Sequence, residues 1–213
     1  MTLTKKILLG SFAAAMAFSG AAFASAPGFY VGGQLGWSNT NPSSSDVTGT
    51  YPGFGNTVTS ASSSGTGFAW GLNTGYQFDQ NWAAELGYTR FANTSYTYRG
   101  TAAGVPFVNG TASYNQDAWS VVGKGILPFD NGFGVYGKLG VAYVRASSIT
   151  ATLAGITANS GNQNAWRPTA GVGVKYDFNQ NVSADVSVTR IFKGGNLTND
   201  SDTAMVGVAY NFG

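Results

Sequence analysis

Large apolar side chains recur at every second position through most of the chain beyond residue 28. That period belongs to half-buried strands, not to helices. The clearest run is "FAWGLNTGYQF": Phe68, Trp70, Leu72, Thr74, Tyr76 and Phe78 share one face, and Ala69, Gly71, Asn73, Gly75 and Gln77 share the other. Six more segments repeat the contrast, at 29–38, 82–91, 133–145, 166–178, 182–190 and 204–212. An eighth, residues 117–127, alternates less cleanly, because Val122 and Ile126 fall on the small and polar face beside Ser120 and Lys124.

The connections alternate in length. Short turns stand at "DQN" (79–81), "DNG" (130–132) and "NQN" (179–181). Long stretches near 39–65, 92–116, 146–164 and 193–202 are rich in Ser, Thr, Asn and Gly and read as polar loops. Eight strands joined in this way, with both chain ends on the short-turn side, predict an all-β fold: an eight-stranded antiparallel up-and-down transmembrane β-barrel. Aromatics gather at both strand ends, with Phe29, Tyr76, Phe78, Trp82, Tyr176 and Phe212 near the turns and Trp37, Trp70, Tyr88, Trp119 and Trp166 near the loops. From Trp70 to Phe78 a tilted strand rises roughly 20 Å, close to the ~25 Å apolar band of such barrels. A soluble β-sandwich would alternate too, but its solvent face would carry many charges.

Composition narrows the setting. Charged residues are 9% of the 213-residue chain, where a soluble domain has roughly 25%. Surface this poor in charge suits contact with lipid. The start of the chain reads as an export signal: Lys5 and Lys6, then the apolar "ILLGSFAAAMAF", then Ala22-Phe23-Ala24 at a cleavage point. The expected division is a cleaved signal peptide at 1–24 and a barrel domain at 25–213. Removing Lys5 and Lys6 leaves nine basic against nine acidic residues, with no Lys/Arg cluster to neutralise phosphates, so nucleic acid is not an expected partner. The chain has no Cys and no His, the usual thiolate and imidazole ligands and bases. No metal, no cofactor and no catalytic group is expected; the serines lack an activating base.

Charges on the small-residue face demand an account. With Gln180 at the middle of its turn, Lys175 falls directly opposite Asp185, where opposite charges attract. A three-residue loop with Gly132 in the left-handed region sets Phe129 against Phe133 and brings Lys124 beside Lys138. Glu85, on the preceding strand, is the acid available to relieve that repulsion. Glu85, Lys124, Lys138, Lys175 and Asp185 are therefore expected to form one luminal charge network in an interior only wide enough for side chains. A second cluster falls at the long-loop ends: Arg90, Arg145 and Arg190 on the lipid-facing parity at headgroup depth, with Lys193 soon after. It is the candidate rim for the phosphates of lipopolysaccharide and other outer-membrane lipids.

Residues 78–90, "FDQNWAAELGYTR", echo 178–190, "FNQNVSADVSVTR", at an offset of 100, aligning Glu85 with Asp185. "GFYVGGQLGWS" (28–38), "AELGYTRF" (84–91), "AGVGVKYDF" (170–178) and the closing "MVGVAYNFG" resemble strands of the OmpA-like, opacity-type small outer-membrane barrels, sometimes called porin family proteins. The resemblance spans 26–213 and implies a Gram-negative outer-membrane address. It also implies periplasmic chaperones and the barrel insertase as assembly partners, the closing strand resembling the segment that the insertase recognises. A peptidoglycan-binding domain, present in many relatives, is not part of this reading. The expected function is structural or surface-interacting, adhesin- or antigen-like, through polar extracellular loops that meet an unidentified host or cell-surface ligand. The alternative is a narrow channel or small-solute porin gated by luminal charge pairs. An enzyme is not expected.

Overall fold

The structure, a computed structural model, describes residues 27–41, 49–51, 56–102, 105–147, 150–153, 156–159, 163–194 and 199–213. The expected signal peptide lies outside the described residues. Among the described residues fourteen strands follow in chain order: β1 (Gly28–Asn39), β2 (Gly49–Tyr51), β3 (Asn56–Ser64), β4 (Thr66–Gln77), β5 (Trp82–Arg90), β6 (Thr94–Ala102), β7 (Val105–Tyr114), β8 (Gln116–Pro128), β9 (Phe133–Ala146), β10 (Thr150–Leu153), β11 (Ile156–Asn159), β12 (Gln163–Asp177), β13 (Val182–Ile191) and β14 (Ser201–Asn211).

Eight of them close into an antiparallel barrel in the order β1-β14-β13-β12-β9-β8-β5-β4. The closing seam runs from Tyr30↔Asn211 to Asn39↔Asp202. These eight match the segments read from the alternation. The orientation also matches: Phe29, Leu35, Leu72, Leu139 (71% exposed), Val172 and Val206 point outward, while Tyr30, Ala69, Glu85, Lys175 and Met205 are buried within. Val122 and Ile126, the two exceptions to the pattern, do face inward and are buried. A wall of exposed Leu, Val and Phe is stable only against acyl chains.

The short turns are built by side chains. Asp79 Oδ1 accepts the backbone N–H of Asn81 (2.7 Å) and of Trp82 (2.8 Å), and Asn179 Oδ1 accepts those of Asn181 and Val182, both at 2.8 Å. Asn81 Nδ2 then donates to the Ile126 carbonyl and Asn181 Nδ2 to the Asn211 carbonyl, each tying its turn to the next strand. The sequence echo at offset 100 is thus an echo in hydrogen bonding. In the third turn Gly132 takes φ +80° and Phe129 N donates to Phe133 O at 2.7 Å, as the three-residue loop requires. Rings at the turn end touch in series, Phe29–Tyr76–Phe78 and Phe133–Tyr176–Phe178. At the far end run Trp70–Tyr88–Trp119 and Tyr143–Trp166.

The long connections depart from expectation. Three of the four stretches read as polar loops contain strands, which pair as a six-stranded sheet in the order β11-β10-β7-β6-β3-β2. β3 pairs with β6 from Ser64↔Ser95 out to Thr57↔Thr101, with a register shift between Val58 and Ser60, and β6 pairs with β7 in turn. Thr, Ser, Tyr and Val have strand propensity, but runs such as "NTVTSASSS" lack the size contrast that makes alternation visible. In the fourth stretch β14 begins at Ser201, three residues earlier than the alternation indicates.

The outward orientation has a measurable consequence. Leu139→Arg, at mid-strand on the lipid face, is expected to destabilise the barrel by about 2–4 kcal/mol in reversible denaturant folding from lipid vesicles. An unchanged midpoint would place that face against water or protein.

Candidate functional site

The lumen is organised by glycines that let larger side chains cross them. Tyr30 lies opposite Gly75, and a Cβ at Gly75 would come within 2.6 Å of the Tyr30 ring. The ring passes over this gap and its hydroxyl donates to Glu85 Oε2 on β5 at 2.9 Å. Asn73 Nδ2 and Lys124 Nζ donate to the same oxygen, each at 3.1 Å. The second half of the barrel repeats the device. Tyr136 lies opposite Gly173, where a Cβ would sit 2.5 Å from its ring, and its hydroxyl donates to Asp185 Oδ2 on β13 at 2.6 Å. Gln34 reaches Asp185 from β1 across Gly207, with Nε2 3.2 Å from Oδ2.

Tyrosine, glycine and acid thus occupy the first, second and third barrel strands of each half. Lys124 joins the halves: its ammonium pairs with Glu85 and stands 4.4 Å from the Tyr136 ring centroid and 5.6 Å from that of Tyr30. Both are within reach of the ring quadrupole.

Three of the five expected luminal residues, Glu85, Lys124 and Lys138, stand together as the register implied. Lys124 lies directly across from Lys138, and Glu85 relieves the pair through its 3.1 Å bridge to Lys124. Lys175 is the correction. Its register opposite Asp185 is as expected, but its ammonium bridges Asp177 at 2.9 Å. Asp177 sits two residues along on the same face, while Asp185 already accepts from Tyr136 and Gln34. Register places Cα atoms opposite one another; competition among donors then chooses the partner.

Two small cavities of about 40 Å3 flank this plug. The one toward the turns is lined by Lys175, Ser183 and Asn211 among others, and the one toward the long loops by Lys138, Thr189 and Thr203 among others. Above the second, Phe91, Ala118, Ala142, Val144 and Ile191 form a buried apolar seal inside the barrel mouth. Arg167, fully buried above, donates to the carbonyls of Phe192 and Asn199. The charge plug and the apolar seal occupy the lumen around these two cavities.

At the rim the expected cations are in place, accompanied by acids. Arg145 Nη2 bridges Asp117 at 2.6 Å. Arg190 grips Asp202 with two bonds, of 2.6 and 2.8 Å. Arg90 lies beside Asp117 in register and makes no ion pair among the described residues, and Lys193 is exposed. Asp117 and Asp202 carry lipid-facing parity, which is tolerable for an acid only at an interface and beside an arginine; that parity was the available signal. Tyr30 and Tyr136 were legible in the same way, as aromatics on the inward half of the alternation. No group of three His, Cys, Asp or Glu able to hold a metal occurs among the described residues.

A closed barrel with an apolar exterior and a charge-filled interior defines a small β-barrel membrane protein. The family model of the outer membrane protein beta-barrel domain matches residues 10–212, and the chain belongs to that family, which places it in the outer membrane. An uncharacterized protein of Coxiella burnetii is 27% identical over 217 residues, covering 88% of this chain and 86% of the relative. Among solved structures, OprG of Pseudomonas aeruginosa is similar at TM-score 0.55 and 16% identity, covering 90% of this chain and 98% of OprG. Neisserial surface protein A is similar at TM-score 0.50 and 18% identity, covering 86% of this chain and 97% of that protein. These likenesses concern the fold.

If the phenol–carboxylate bonds hold the plug, Tyr136→Phe should cost about 1.5–3 kcal/mol of folding free energy, the range for a hydrogen bond to a charged group. Gly173→Leu, which fills the seat of the same ring, should destabilise by a further margin. Vesicle unfolding of both variants measures this, and equal midpoints for wild type and Tyr136→Phe would remove the tyrosine from the plug's support.

Proposed function

We propose that the chain acts at the cell surface, as a structural or interaction protein that presents the six-stranded sheet above a closed barrel. The observation carrying this reading is the pairing of three long connections into one sheet, in place of separate loops. A sheet of this size is a shaped surface on a rigid support, which is where barrel proteins place recognition. Arg99 is the single charged residue in its six strands. A ligand would therefore be met by hydroxyls and backbone edges, not by charge. The name of Neisserial surface protein A agrees with an address at the surface. The charge plug and the apolar seal across the lumen speak against the channel alternative in the conformation described.

Trimming residues 56–62 and 97–111 should leave heat-modifiable gel mobility intact. It should also abolish adhesion of displaying cells to arrays of matrix proteins and neutral glycans. Equal adhesion on every surface would count against the surface role. In planar bilayers the wild type should show no defined openings; openings that change with Asp185→Asn would restore the channel reading.

Lipopolysaccharide is the proposed rim partner. The forks of Arg145 and Arg190 are already engaged by acids, so Arg90 and Lys193 are assigned to phosphate. Arg90→Ala with Lys193→Ala should lower co-purified lipopolysaccharide several-fold, and unchanged recovery would leave the rim as an interfacial anchor only. Assembly through periplasmic chaperones and the barrel insertase belongs to the same proposal.

A further inference from the structure

Most outward positions of the wall carry large apolar side chains, and one groove interrupts them. It crosses β8, β9, β12 and β13 in the turn-side half of the barrel and measures about 380 Å3. Gly137 forms its floor, with Gly125 across from it on one side and Val172, then Val188, on the other. Leu127 and further valines of β9, β12 and β13 make the walls.

The luminal glycines are demanded by their neighbours; these two are not. A Cβ at Gly137 would come no closer than 4.0 Å to another atom, the Gly171 carbonyl oxygen, and one at Gly125 would rest 3.4 Å from the Trp82 ring. Neither residue has a positive φ. Glycine weakens a strand, and inside one it marks a bulge, a bend or the close approach of another molecule. β8 and β9 pair without interruption from Gln116↔Ala146 to Pro128↔Gly134, so no bulge accounts for them.

Water is absent at this depth, so hydrocarbon or protein fills the groove. A second copy of the chain fits poorly: eleven residues line the groove, and a stable interface takes roughly 20–30 on each side. The volume lies in the ~300–1,000 Å3 range of small-ligand sites. A linear chain lying in it is contacted on three sides, where the convex wall offers one. Depth selects the leaflet. Gly137 is four residues from Phe133, about 10 Å from the turn-side ring contacts of Phe133, Tyr176 and Phe178. Charge selects the headgroup. Asp130 is exposed in the turn directly beyond the groove and Asp79 in the next turn, while Lys124 and Lys175 are buried in the lumen. An edge of that sign is complementary to an ammonium and not to a net-anionic headgroup.

We propose that this groove is a binding site for one acyl chain of a zwitterionic, ammonium-bearing phospholipid of the turn-side leaflet, of the phosphatidylethanolamine class, with its headgroup beside Asp130. The site lies on the outside of the barrel, and its validity is independent of what the outer sheet recognises.

The test is native mass spectrometry of the full chain, folded into vesicles of equal phosphatidylethanolamine and phosphatidylglycerol with the same acyl chains and then extracted in mild detergent. Wild type should carry one phosphatidylethanolamine in several-fold excess over phosphatidylglycerol. Gly137→Leu, which fills the floor, should lower that adduct several-fold while keeping heat-modifiable gel mobility. Gly33→Leu puts the same side chain on the lipid face of β1, away from the groove, and should leave the adduct unchanged. Asp130→Asn should keep the lipid and lose the preference. Should Gly137→Leu fail to fold, Val172→Phe narrows the groove from β12 and should lower the adduct likewise. An adduct unchanged in both groove variants, or lowered equally by Gly33→Leu, would mean non-specific surrounding lipid only and would overturn the site. Equal retention of the two lipids by wild type would overturn it as well. So would a dimer that Gly137→Leu dissolves, because the groove would then join two copies of the chain.

Discussion

Backbone hydrogen bonding in a medium without water is the constraint from which this structure follows. Every N–H and C=O that crosses the hydrocarbon layer must find a partner in protein, so the sheet has to close on itself. The β1–β14 seam does this over ten consecutive residue pairs, finished by Phe212 N donating to Phe29 O at 2.8 Å. Closure with eight strands then leaves an interior only as wide as the side chains that fill it. Outward positions can be large and apolar because lipid yields to them. Inward positions must be divided among few large groups and many small ones.

That division explains the glycines better than flexibility does. Gly75, Gly173 and Gly207 sit where a neighbour's side chain crosses to reach an acid, and a methyl group at any of them would stand within 2.7 Å of the crossing atoms. The long polar groups of the lumen therefore lie across the strands, and each carboxylate collects donors from two or three strands at once. Glu85 binds donors from β1, β4 and β8; Asp185 binds donors from β1 and β9. Such bonds cross-link the wall from within, as the ladder does along it.

The alternation made the eight spanning strands legible because lipid imposes a strong contrast between faces. It also made register legible where turn chemistry was recognisable, which is why Lys175↔Asp185 and Lys124↔Lys138 were accessible before any coordinates. Partner choice was not accessible in the same way. Whether Lys175 pairs with Asp185 or Asp177 depends on where Tyr136 and Gln34 spend their donors, and those reach Asp185 from strands remote in sequence. The outer sheet was hidden for a different reason. Above the membrane neither face needs to be greasy, so "TSYTYRGTA" and "NTVTSASSS" carry strand propensity without a contrast of faces.

The repeated Tyr–Gly–acid device bears on how the barrel is built. It recurs after four strands, together with the paired Asp79 and Asn179 turns and the Asn81 and Asn181 side-chain ties. Shared ancestry of two halves and a shared physical demand both produce such an echo, but they differ in what they leave unmatched. Turn geometry alone would conserve the turn residues and would not select a tyrosine on a strand two positions away in the wall. The recurrence of Tyr30 and Tyr136 at equivalent barrel positions, each over a glycine and each bound to an acid, extends the echo beyond any single hairpin. The halves diverge around that device: one acid gained Lys124, the other Gln34, and Lys138 lines the chamber between plug and seal. Two copies of one solution keep the wall together, and they differ in which donors complete each acid: Lys124 and Asn73 at Glu85, Gln34 at Asp185.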